Sequence, residues 1–92
     1  MQFTLHMGRA KLNLLIGYFK DCRDDCLTAL KIKPDDLGMW VVLCRSRFFV
    51  EKWHEGLKHA NDGLAVCPGE EKLLHFKKLY EIEIANEKTV TA

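Results

Sequence analysis

Pro34 and Pro68 stand thirty-four residues apart, and each closes the same kind of passage: Ala29-Leu30 runs up to the first, Gly63-Leu64 to the second. A period of that length is what a pair of helices and their turns occupies in a repeat protein, so the spacing constrains the chain to stacked helix pairs. Residues 3–36 and 37–70 align without a gap, pairing Phe19 with Trp53, Cys22 with Gly56, Cys26 with Ala60, Ala29 with Gly63 and Leu30 with Leu64. A ring followed by three small residues and a leucine suits closely packed helices. The small side chains let a neighbouring backbone approach while the ring fills the gap beside them.

Taken in order, the pattern predicts helices over 3–16, 19–31, 37–50, 53–66 and 71–88. Gly17 supplies the permissive backbone for the first turn, and Lys31 and Lys33 complement the dipole at the end of the second helix. Asp35 and Asp36 offer caps for the third. The run Trp40-Val41-Val42-Leu43 has the β-branched and aromatic character of a strand. An isolated strand would have nothing to pair with, so the repeat register favours helix. Being apolar on most sides, the third helix is expected to be the most central. In the last helix Leu73, Leu74, Phe76, Leu79, Tyr80 and Ile84 are expected to supply the apolar contacts, and the tail from Lys88 to fray.

The second copy resembles a tetratricopeptide repeat, whose signature opens W-x2-L-G-x2-Y and continues through small and aromatic positions to a proline. The matching residues are Trp40, Leu43, Trp53, Gly56, Ala60, Gly63 and Pro68, with Cys44 and Arg47 in place of the usual glycine and tyrosine. The first copy matches best from Gly17 through Phe19, Cys22, Cys26 and Ala29 to Pro34. The resemblance implies an all-α fold of antiparallel helix pairs stacked right-handed: repeat 3–36, repeat 37–70 and a capping helix 71–88, forming one domain over 1–92. Related domains usually stack three repeats, so the resemblance implies either a short member or a fragment of a larger array, in which Phe3 and Leu5 would pack on protein outside it.

Composition narrows the function. Fourteen basic against thirteen acidic side chains give a formal charge of +1, without the basic excess expected of a general nucleic-acid binder. An RNA-binding patch would have to be assembled from Arg9, Lys11, Arg45, Arg47, Lys52 and Lys58 against opposing aspartates. The amino terminus lacks the basic and apolar regions of a secretory signal, and no apolar run approaches the roughly 20 residues that span a bilayer. A cytoplasmic protein is the expectation, with Cys22, Cys26, Cys44 and Cys67 as free, mostly buried thiols. No nucleotide-binding, nucleophile-elbow or H-E-x-x-H motif is present, and His54 and His59 diverge too far on a helix to join Cys22 and Cys26 around zinc. The pairs Asp24-Asp25, Asp35-Asp36 and Glu70-Glu71 read as solvated or dipole-capping carboxylates. No enzyme, metal or cofactor is expected.

What remains is a binding surface. The alignment implies inner positions at Thr4, Met7, Gly8, Lys11, Leu14 and Leu15, at Gly38, Val41, Val42, Arg45, Phe48 and Phe49, and at Lys72, His75, Phe76 and Leu79. The expected peptide-binding residues are Lys11, Leu14, Val41, Arg45, Phe48, Phe49, Lys72 and Phe76. The run Leu5-x-x-Gly8-Arg9-Ala10 with Asp21-Cys22 looks like the middle repeat of cochaperones that dock on heat-shock chaperones. Those relatives hold an acidic tail in a carboxylate clamp, and here Gly8, Gly38 and Val42 replace its Asn, Lys and Arg. The resemblance therefore implies a protein-interaction adaptor with a degenerate clamp, a heat-shock chaperone among its expected partners. The competing expectation is an architectural helical repeat that packs on a larger chain or a second copy.

Overall fold

The computed structural model describes residues 2–91, with side chains for residues 3–87. Five helices follow one another: α1 (Gln2–Ile16), α2 (Phe19–Ile32), α3 (Leu37–Phe49), α4 (Trp53–Val66) and α5 (Glu71–Thr91). The described residues contain no strand. Trp40-Val41-Val42-Leu43 is helical because burial on several sides at once, rather than local β preference, sets its conformation. Helix α5 continues to Thr91, past the expected end at 88. The expectation of a frayed tail otherwise concerns side chains after Glu87 and Ala92, which lie outside the described residues.

The thirty-four-residue period recurs bond by bond. Tyr18 N–H donates to Asn13 O at 2.8 Å and Lys52 N–H to Arg47 O at 3.0 Å. Cys22 N–H donates to Tyr18 O and Gly56 N–H to Lys52 O, while Lys33 N–H donates to Ala29 O and Cys67 N–H to Gly63 O. The arrangement is that of a helical repeat of stacked antiparallel helix pairs. Both first helices also end alike, through a left-handed residue at Gly17 (φ +89°) and at Glu51 (φ +60°). With Glu51 N–H donating to Phe48 O at 3.1 Å, the α3 terminus forms a Schellman motif. Glycine suits that backbone and glutamate resists it.

Helix α3 packs against all four others. Its start is fixed by Asp36, whose side chain accepts from Met39 N–H at 2.9 Å, and by Trp40, whose Nε1–H donates to Pro34 O at 2.8 Å. On one side Met39, Val42 and Leu43 join Ala10, Cys22, Cys26, Ala29 and Leu30. On the other, Val41 and Cys44 join Ala60, Leu73, Phe76 and Tyr80. Trp40 packs on both clusters. Having core on both sides is what makes this helix central.

The two repeats solve the same packing problem with different volumes. At Gly56 an added Cβ would overlap the Tyr80 ring, lying 2.6 Å from its hydroxyl oxygen, and that hydroxyl donates to Cys44 O. One repeat earlier the equivalent positions are Cys22 and Ser46, both fully buried. Desolvation drives the Cys44 thiol up to about 12, and its contact with Cys22 together with desolvation raises Cys26. Cys22 is lowered, mainly by the hydrogen bond from Cys26. Buried and out of reach of solvent, these thiols act as small packing groups.

Four sequence expectations need correcting. Phe3 packs inward on the first core cluster, with Lys33 over its ring, rather than outward. Asp25 is buried rather than solvated: its carboxylate accepts from Arg9 Nη2 at 3.0 Å and Asn13 Nδ2 at 3.1 Å, with His6 Nδ1 at 3.2 Å. Three partners from α1 offset its desolvation, which fixes the register of α1 on α2. Arg47 is also buried, donating from Nη2 to Phe19 O at 2.8 Å and lying 3.6 Å from Glu55. Leu74 points outward and is exposed, because Leu73, Phe76 and Tyr80 already fill the inner face of α5.

Candidate functional site

Between α3 and α5 lies an open groove of about 550 Å³ lined by Val41, Arg45, Phe48, Phe49, Glu71, Lys72, His75, Phe76 and Leu79. Its lining comes entirely from α3 and α5, equivalent helices of successive repeats. The floor is apolar. Val41 and Phe76 are nearly covered, Phe48 and Leu79 half-covered, and Phe49 lies exposed at the edge.

Aromatic packing holds this floor in place from behind. Phe48 meets Trp53 at 5.1 Å and Tyr80 at 5.8 Å between ring centroids, while Phe76 stacks on Tyr80 at 6.1 Å. Tyr80 is the pin: its hydroxyl is tied to the α3 backbone and its ring rests on Gly56. Phe49 stacks on Phe19 of α2 at 5.3 Å. A ring pair of this kind contributes about 0.5–1.5 kcal/mol beyond area burial, so the groove wall is preformed by the same contacts that join the repeats.

The rim is basic. Arg45, Lys72 and His75 are exposed around the apolar floor, against the single carboxylate of Glu71. Exposed charge pairs contribute about 0–1 kcal/mol each, whereas burying a Leu or Phe side chain contributes about 1.5–3 kcal/mol. Apolar anchoring on the floor would therefore dominate affinity. The cations would set approach and orientation.

Six of the eight sequence-selected residues line this groove: Val41, Arg45, Phe48, Phe49, Lys72 and Phe76. Lys11 and Leu14 do not. Lys11 is exposed on α1, and Leu14 packs on the first core cluster. Glu71 is the lining residue that repeat position did not single out, since it looked like a helix-start carboxylate. Of the positions that carry the clamp in the resembled cochaperones, Gly8 and Gly38 are exposed without side chains and Val42 is buried in the core. Removing even one buried, hydrogen-bonded cation from such a site costs about 2–5 kcal/mol.

The cations suggested for an RNA patch are partly committed elsewhere. Arg9 pairs with Asp25, Lys58 with Asp62 at 2.9 Å, and Arg47 is enclosed. A second hollow, lined by Arg9, Asn13, Asp21, Asp24 and Asp25, is polar and centred on the carboxylate that anchors α1. Among the described residues no group of histidines, cysteines and carboxylates is placed to hold a metal ion, and no helix is long and apolar enough to cross a membrane. Comparison with protein-family models, with curated proteins and with solved structures returns no match. The class of the molecule, an all-α stack of helix pairs, therefore rests on its own periodicity.

Proposed function

We propose that the chain is a protein-interaction module of the tetratricopeptide kind, whose α3/α5 groove receives a short segment of a partner protein. One observation carries this reading: the groove combines an apolar floor with a basic rim, built largely from residues that the repeat register assigns to the inner surface. Without a working clamp, a chaperone's terminal carboxylate has no dedicated partner. The adaptor role then falls to side-chain anchoring, and acidic segments with apolar anchors fit the rim and floor best.

Calorimetric titration of the full chain with an acidic peptide carrying two aliphatic anchors tests this. Binding is expected, and Phe49→Asp should weaken it about 10- to 100-fold through loss of apolar contact. Arg45→Glu should weaken it less and remove most of its salt dependence. Absence of heat at millimolar peptide would overturn the reading.

The architectural alternative draws on a separate observation, the exposed apolar residues Leu5, Leu12, Leu15 and Ile16 of α1. It predicts self-association. A monodisperse monomer by light scattering at high micromolar concentration would count against it.

A further inference from the structure

Helix α1 is apolar on two opposite faces. Phe3, Met7, Ala10 and Leu14 turn inward, while Leu5 (49% exposed), Leu12 (55%), Ile16 (54%) and the exposed Gly8 form a stripe at i, i+3, i+7 and i+11 on the outside. The internal repeat shows what such a stripe is for. At the equivalent positions of α3, Met39, Val42 and Ser46 are buried beside the small residues of α2. At those of α5, Leu73 and Tyr80 lie against Gly63 and Gly56 of α4. Leu15 falls outside the stripe, as does its counterpart Phe49, and both are exposed.

We infer that the outer stripe of α1 docks a helix of another protein that carries small residues in the α2/α4 pattern, aromatic-x2-small-x3-small-x2-small. The interface would continue the two that already join the repeats. Gly8, where an added Cβ would meet nothing within 4 Å, leaves room for close approach. Charge points the same way, for residues 2–16 contain no carboxylate and carry the exposed Lys11, whereas α4 carries Glu55 and Asp62 against Lys58. A second copy of this chain is a poor occupant. The small faces of its own α2 and α4 are already covered, with Cys22, Cys26, Ala29 and Ala60 fully buried.

The test is fluorescence anisotropy of a labelled peptide with the α4 sequence, residues 51–68 with Cys67→Ser, titrated with the full chain. Saturable binding is expected. Leu12→Asp, a change at an exposed site, should weaken it at least about tenfold while leaving the thermal melt in place. A peptide carrying Gly56→Leu and Ala60→Leu should fail to bind, and Phe49→Asp in the α3/α5 groove should change nothing, which separates this surface from that of the proposed function. No saturation at millimolar protein overturns the inference. So does binding that survives Leu12→Asp, since the peptide would then be replacing the chain's own α4. A dimer seen by sedimentation equilibrium and lost in Leu12→Asp would make a second copy the occupant, and the inference would also fall.

Discussion

Tyr80 can occupy the middle of the second repeat interface only because position 56 has no side chain. Replacing Gly56 by alanine gains roughly 1 kcal/mol of helix propensity, but the new methyl meets a ring pinned by its hydroxyl, and overpacking costs roughly 1–3 kcal/mol. The clash is expected to win. Gly56→Ala should lower stability in urea unfolding by up to about 2 kcal/mol, and in a Tyr80→Ser background, which copies the smaller residue of the first repeat, the same alanine should become stabilising. If the alanine costs as much in that background, Tyr80 is not the obstacle. At Glu51 the sign reverses. Its φ of +60° is where Gly17 stands in the preceding repeat, and Glu51→Gly should stabilise the protein by about 0.5–1 kcal/mol as relief of left-handed strain outweighs the added freedom of the unfolded chain. Neither residue's importance is visible from composition; both emerge from comparing one repeat with the other.

Helix α4 carries a titrating group that the inter-repeat contacts leave poorly served. His59 is buried, its Nε2 has no hydrogen-bond partner, and the nearest carboxylate oxygen, on Glu55, is 3.6 Å away. Burial lowers its pKa from the usual 6.5, outweighing the opposing pull of Glu55. A histidine lowered in the folded state binds a proton more readily when unfolded. Its contribution to stability is therefore complete above about pH 6.5 and is lost as pH falls from there towards the folded value. Chemical denaturation from pH 7.5 down to 5 should show this loss, and His59→Gln should reduce the slope; an unchanged slope would assign it to other groups. Helix-level expectations from the sequence fared well where periodicity was the signal, since α2 and α4 begin thirty-four positions apart and have the same length. They failed where polar residues go inward. Asp25 and Arg47 look like surface charges because their partners, Arg9, Asn13 and the carbonyl of Phe19, come from other helices. Spacing along one helix carries no trace of such a partner.

Across the molecule, the groove was legible as a set of inner positions on α3 and α5, but not its limits. Lys11 and Leu14 stand at the same register positions as Arg45 and Phe48, yet they lie outside the lining. The thiols report the same division between inside and outside. Cys22, Cys26 and Cys44 are fully buried and Cys67 only partly so. A disulfide-exchange reagent at neutral pH should modify Cys67 alone in the native protein and all four thiols after denaturation. Rapid native modification of a second thiol would mean that a core opens readily. The differing partners at the repeat junctions, Cys22 with Ser46 and Gly56 with Tyr80, bear on how the chain finds its order during folding. If the units slipped so that α5 sat where α3 belongs, tyrosine would collide with cysteine. If α3 took the place of α5, serine would leave an empty notch at glycine. Two near-copies of one building block can thus tell each other apart, and the mis-threaded arrangements that threaten any tandem array carry their own penalty here.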